Sequence, residues 1–150
     1  MFLRKLRTAI RLPAADKVLF CQAWLELLVV EVLLHVWAFP RVTQRAVRLR
    51  RNSSQVPFTI SNWTAVRRCQ RLVGLASRYH FFSMTCLRQA LTLQLLLGRQ
   101  GFASDLRIGT RKEGGEFQAH AWLEVLGHPV EKRPGEVQRF TILAPMDLEK

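Results

Sequence analysis

A cysteine opens the run "SMTCLRQALTLQLLLGRQGF", residues 83–102, which otherwise reads as a buried helix. With Ser83 or Thr85 as the cap, Cys86 falls in the first helical turn. Free backbone amides and the positive end of the helix dipole favour thiolate over thiol there, and the same amides can hold the oxyanion of a tetrahedral intermediate. Further along, "FQAHAWLEV" alternates as a strand does. Gln118, His120, Trp122 and Glu124 share one face, and Phe117, Ala119, Ala121, Leu123 and Val125 form the apolar other. His120 thus sits beside a tryptophan that can shield it from water. Taken singly, each residue has an ordinary structural reading. A cysteine at a helix start followed by a histidine on a strand is, however, the layout of a thiol protease.

Such a pair calls for a third group to orient the imidazole through its other nitrogen. A two-residue turn at Leu126-Gly127 sets Val125 opposite His128 and Trp122 opposite Glu131. His120 then lies diagonal to Glu131 on one face, about 7 Å away. Glu124 shares that face but stands about 13 Å along the strand. Asp105, on a separate strand of unknown pairing, is the second alternative. Glu131 is the expected acid.

These side chains depend on helices for the cysteine and on a sheet for the histidine and acid. Asp16 is a plausible cap for a first long helix, which Pro40 stops. A basic amphipathic run, "RVTQRAVRLRR", leads into the polar "NSSQVP", where a boundary is expected near residues 52–57. This divides the chain into a basic helical docking part, 1–55, and a core, 56–150. In the core, Trp63, Val66, Val73 and Ala76 recur at helical spacing with Ser61 as a possible cap. Arg67, Arg68 and Arg71 fall on the wet side, and Cys69 among them reads as a surface or half-buried thiol. The cysteine helix is expected over about 85–98, with Leu87, Ala90, Leu91 and Leu95 inward and Gly98 and Gly101 available to end it. The periodicity then drops from 3.6 to 2. "DLRIGTR", "FQAHAWLEV", "PVEK" and "RFTIL" read as strands of an antiparallel meander, so the class is α+β.

Composition bounds the possibilities. The 150 residues suit one domain or a domain with an appendage; 49% are hydrophobic and 23% charged, which excludes a disordered chain. Lys and Arg number 23 against 11 Asp and Glu, a net charge of +12 that favours polyanions, anionic lipid or an acidic partner. Three cysteines cannot all pair within one chain, and no signal-peptide pattern opens it, so free thiols in a reducing cytoplasm are expected. Residues 18–39 form an apolar helical segment, but each of Glu26 and Glu31 would cost roughly 2.5–3.5 kcal/mol in mid-bilayer. With Gln22 and Glu26 on one side and Glu31 and His35 opposite, the segment reads as a helix packed on several sides rather than a surface float, and a membrane contact is the less favoured alternative.

"TCLRQALTLQLLLGRQGF", "LRIGTRK" and "FQAHAWLEVLGHPV" together resemble the transglutaminase-like leader peptidase of lasso-peptide gene clusters, the stand-alone B protein, over about residues 57–145. The resemblance implies a papain-like triad that cuts the leader from a ribosomal precursor peptide, with Cys86 as nucleophile and His120 as base. The family's acid is usually an aspartate shortly after the "HAW" strand; this chain reads "HPVEKRPGE" and offers Glu131 instead. The resemblance also implies two partners, a small leader-recognition protein and an ATP-dependent macrolactam synthetase. No cofactor is implied, and the cysteines and histidines lack paired metal-ligand spacing. The alternatives are a basic nucleic-acid-binding module and a non-catalytic scaffold. The first is disfavoured because the strands lack an aromatic stacking pair.

Overall fold

A computed structural model describes residues 12–36, 59–130, 133 and 135–143. Three helices, α1 (Ala14–Val36), α2 (Ile60–Arg78) and α3 (Cys86–Arg99), precede four strands, β1 (Asp105–Glu113), β2 (Glu116–Val125), β3 (His128–Pro129) and β4 (Thr141–Ile142). The class is α+β, as expected. The boundary expected at 52–57 lies outside the described residues.

The helix ends follow local chemistry. Thr59 caps α2 by accepting from the Asn62 backbone N–H at 3.3 Å; Ser61, the expected cap, sits in the first turn with its hydroxyl 2.9 Å from that of Thr59. Thr85 caps α3, and its hydroxyl accepts from the Arg88 N–H. Helix α3 is central, buried without interruption from Ala90 to Leu97. It packs on α1, on α2 and on β2. The core joins Ala23 and Leu27 of α1, Val66, Cys69, Val73 and Ala76 of α2, Leu93, Leu96 and Leu97 of α3, and Ala121, Leu123 and Val125 of β2.

Helix α1 attaches through its acids as well as its apolar side. Asp16 is not a cap: it is buried in the first turn and ion-paired with Arg68 and Arg71. Glu26 pairs with Arg99, and Glu31 with Arg88. A buried carboxylate is tolerable only with such a partner, so all three acids point at the core arginines. The helix is therefore not packed on several sides. Among the described residues, one face is buried and the opposite face is exposed.

The sheet order is β3-β2-β1-β4. The β1–β2 hairpin turns at Gly114 and Gly115, both at positive φ (60° and 88°), a turn that glycine makes without steric cost. The β2–β3 turn is the two-residue Leu126-Gly127, also with positive φ at both residues, and it pairs Val125 with His128 as expected. The last strand departs from the meander: β4 crosses to the far edge and pairs with β1 at Gly109 and Thr110.

Candidate active site

Cys86 and His120 meet. Helix α3 brings Cys86 to its N-terminus, and β2 carries His120 to within hydrogen-bonding reach of the thiol. That hydrogen bond is the main influence holding the Cys86 thiol below its ordinary pKa. Burial opposes it; backbone hydrogen bonds from Ala121 and Leu87 and the charge of His120 reinforce it. The Leu87 amide belongs to the first turn of α3, so a free N–H at the helix start acts on the sulfur, as the capping pattern predicts.

The imidazole is held in an aromatic collar. The His120 ring stacks on Trp122 at 6.1 Å between centroids and 21° between planes, and lies 5.3 Å from Phe140. Trp122 is buried and Phe140 half-buried. Gly109 stands directly across from His120 on β1. A Cβ there would come within 2.9 Å of Trp122 and 3.0 Å of both Phe140 and the Thr141 carbonyl oxygen. Only glycine lets the 140–142 segment close down over the histidine.

The two acid candidates on neighbouring strands lie elsewhere. Asp105 pairs with Glu124, four positions from the Gly109–His120 pair, about 13 Å along the strand. Glu124 accepts from Arg107 Nε at 2.8 Å and from Trp122 Nε1 at 3.4 Å. Glu131 lies outside the described residues. The strand leading to it keeps the expected register, because the Val130 N–H donates to the Leu123 carbonyl at 2.8 Å.

A cavity of about 120 Å³ opens on the pair and is lined by Cys86, His120, Gln70, Gln89 and Glu136 among others. Three of these polar residues were not singled out from the sequence. Gln70 Nε2 donates to the Val130 carbonyl at 3.0 Å, tying α2 to the chain just before residue 131. Gln89 Nε2 donates to the Met84 carbonyl at 2.9 Å and steadies the loop before Cys86. Both had a signal in helical spacing, since Gln70 lies between Val66 and Val73 on the buried side of α2 and Gln89 one turn after Cys86. Glu136 had none, because it stands in an irregular segment whose position depends on tertiary folding.

Cys69 differs from its expected surface or half-buried setting. It is 1% exposed within the core, and burial raises its pKa. Gln100 contacts the sulfur, donating through Nε2 at 3.2 Å. Cys21 is exposed. Arg68 and Arg71, which the helical spacing places on the wet side of α2, pair there with the buried Asp16 of α1. The run from Arg41 to Arg51 lies outside the described residues. Among the described residues, no group of three or more His, Cys, Asp or Glu side chains is placed to hold a metal ion.

Compared with known proteins, residues 26–144 match the Transglutaminase-like superfamily. No curated protein and no solved structure matches the chain.

Proposed function

Starting from the membership of this chain in the transglutaminase-like superfamily, we propose that it is a cysteine peptidase that removes the leader from a ribosomally made lasso-peptide precursor. The observation that carries the peptidase reading is the hydrogen bond from His120 that depresses the Cys86 thiol at the head of α3. The leader-peptidase assignment rests on the sequence resemblance over residues 57–145.

In this reading, proton transfer to His120 leaves a thiolate that attacks the carbonyl at the leader–core junction. First-turn amides of α3 receive the oxyanion. His120 then protonates the leaving amine, giving a thioester at Cys86 and a free core N-terminus. Water, deprotonated by His120, releases the leader acid and restores the thiol. Gln89 steadies the loop that presents Cys86, and Trp122 and Phe140 keep the imidazole from turning. Glu131 is proposed to orient the ring, on the register that runs through Val130 toward it. Glu136, which lines the cavity beside both reacting groups, is the alternative.

The proposed partners are a leader-recognition protein that delivers the precursor and a macrolactam synthetase that closes the ring on the new N-terminus. The test is incubation with the cognate precursor and recognition protein, read by mass spectrometry. Release of leader and core at one junction by the native protein, and none by Cys86→Ala, is expected. An intact precursor with the native protein, or equal cleavage by the variant, would refute the reading.

A further inference from the structure

The segment that delivers Cys86 has little of its own to hold it. Between the end of α2 at Arg78 and the Thr85 cap it forms no helix or strand, and Phe81, Phe82 and Ser83 are exposed. Two side chains from the first turn of α3 reach back five residues to it. Arg88 donates through Nη1 to the Ser83 carbonyl at 2.8 Å, and Gln89 through Nε2 to the Met84 carbonyl at 2.9 Å. Gln89 lines the cavity. Arg88 stands two residues after Cys86, about 200° around the helix, so it faces α1 while Cys86 faces β2.

There Arg88 Nε is ion-paired with Glu31. The Glu31 side chain is buried and that of Arg88 is 22% exposed, so this is not the solvated kind of pair that contributes little. The other oxygen of Glu31 lies 3.4 Å from His35 Nδ1, and the charge of Glu31 reaches His80 in the segment before Cys86. The guanidinium donors lie in one rigid plane. A fixed carboxylate on one side and a carbonyl on the other therefore leave it a single arrangement, and α1 holds Ser83 through Arg88. A second pair joins the same two helices: Glu26 binds Arg99 at the opposite end of α3, about 16 Å along the helix from Arg88. Both pairs fasten α1 to α3, but the Glu31–Arg88 pair also grips the approach to Cys86.

We propose that Glu31 and Arg88 are positioning residues for the nucleophile: Glu31 aims the guanidinium at the Ser83 carbonyl, which fixes the turn entering α3 and keeps the Cys86 sulfur against His120 and the Leu87 amide. Neither residue lines the cavity, so both act through the segment before Cys86 and not on the substrate. The inference rests on Cys86 being the nucleophile of the reading above.

The test is the pH profile of Cys86 alkylation by iodoacetamide, read by mass spectrometry beside N-acetylcysteine. The chains compared are the native protein, Glu31→Gln, Glu31→Gln/Arg88→Met and Glu26→Gln. Removing a nearby negative charge favours thiolate and by itself moves the profile to lower pH. Loss of positioning does the opposite. Glu31→Gln should move the Cys86 profile to higher pH and slow alkylation at neutral pH at least roughly threefold, an upward shift of about half a unit. The double variant removes both charges together, leaves neither buried alone, and should move the same way. Glu26→Gln should cost stability in a urea titration while leaving the Cys86 profile in place. A Glu31→Gln profile that stays put or moves to lower pH would overturn the proposal. So would an equal shift in Glu26→Gln, which reduces the pair to a general fastening of α1. Where Glu31→Gln fails to fold by circular dichroism, the double variant decides by the same criterion. A native Cys86 profile no lower than that of N-acetylcysteine would overturn the nucleophile reading itself, and the positioning role with it.

Discussion

Two cysteines sit on neighbouring helices and meet opposite fates. Cys69 lies mid-way along α2, where the amides are already bonded within the helix, and it is enclosed by the core with Gln100 as its polar contact. Its burial dominates and the thiol is held in the protonated form. Cys86 is also partly enclosed, and burial raises its pKa too, but here burial loses. A histidine delivered from β2 and two backbone amides stabilise the thiolate by more than burial penalises it. Burial alone therefore does not decide what a cysteine can do. The decision comes from where it stands along its helix and from what the sheet brings to it.

The comparison breaks most completely at Cys86 itself. Cys86→Ala should abolish precursor cleavage, whereas Cys69→Ala should retain most of it, as measured by mass spectrometry on protein whose fold is intact by circular dichroism. Comparable losses in the two variants would remove the distinction. His120→Ala should cost nearly as much, because both thiolate formation and leaving-group protonation pass through the ring. His80 and His128 variants should be far more tolerant.

A smaller but sharper effect concerns the orienting acid. Glu131→Gln should lower turnover by one to several orders of magnitude, about 10⁴ at the extreme, measured beside Glu136→Gln and Asp105→Asn under identical conditions. The largest loss at Glu136 would move the role into the cavity wall. A loss confined to Asp105 would contradict the register, which separates it from His120 by about 13 Å. The smallest effect belongs to the buried thiol: Cys69→Ala should destabilise the fold by about 1 kcal/mol in a urea titration with little change in turnover.

Much of the site is legible because its signals are local. The Thr85 cap and the first-turn cysteine occupy adjacent positions. The alternation of β2 and the Leu126-Gly127 turn set which residues face one another, and the structure keeps that register through Val130. What could not be read depends on chain segments meeting from far apart. Phe140 covers His120 only because β4 crosses to the β1 edge, a pairing no local pattern encodes. Cys69 is buried although arginines adjoin it, because Arg68 bends away to the buried Asp16 of α1. The acids of α1 looked dispersed around the helix at 100° per residue, yet the core arginines from α2 and α3 draw all three to one arc. Charge periodicity on a single helix does not reveal partners supplied by another.

The most direct measurement is the pH dependence of alkylation at each cysteine, followed by iodoacetamide labelling and mass spectrometry of the native protein and of His120→Ala. A depressed thiol pKa means that thiolate persists as pH falls through the range where an ordinary thiol has already protonated. Cys86 should therefore keep reacting to lower pH than a free model thiol such as N-acetylcysteine does, and Cys69 should react last and only at high pH. In His120→Ala, the main cause of the depression is gone, so the Cys86 profile should move up toward that of an ordinary thiol while Cys69 stays where it was. A Cys86 profile that matches the free model thiol in the native protein, or that does not move in His120→Ala, would contradict the pairing of Cys86 with His120 as nucleophile and base.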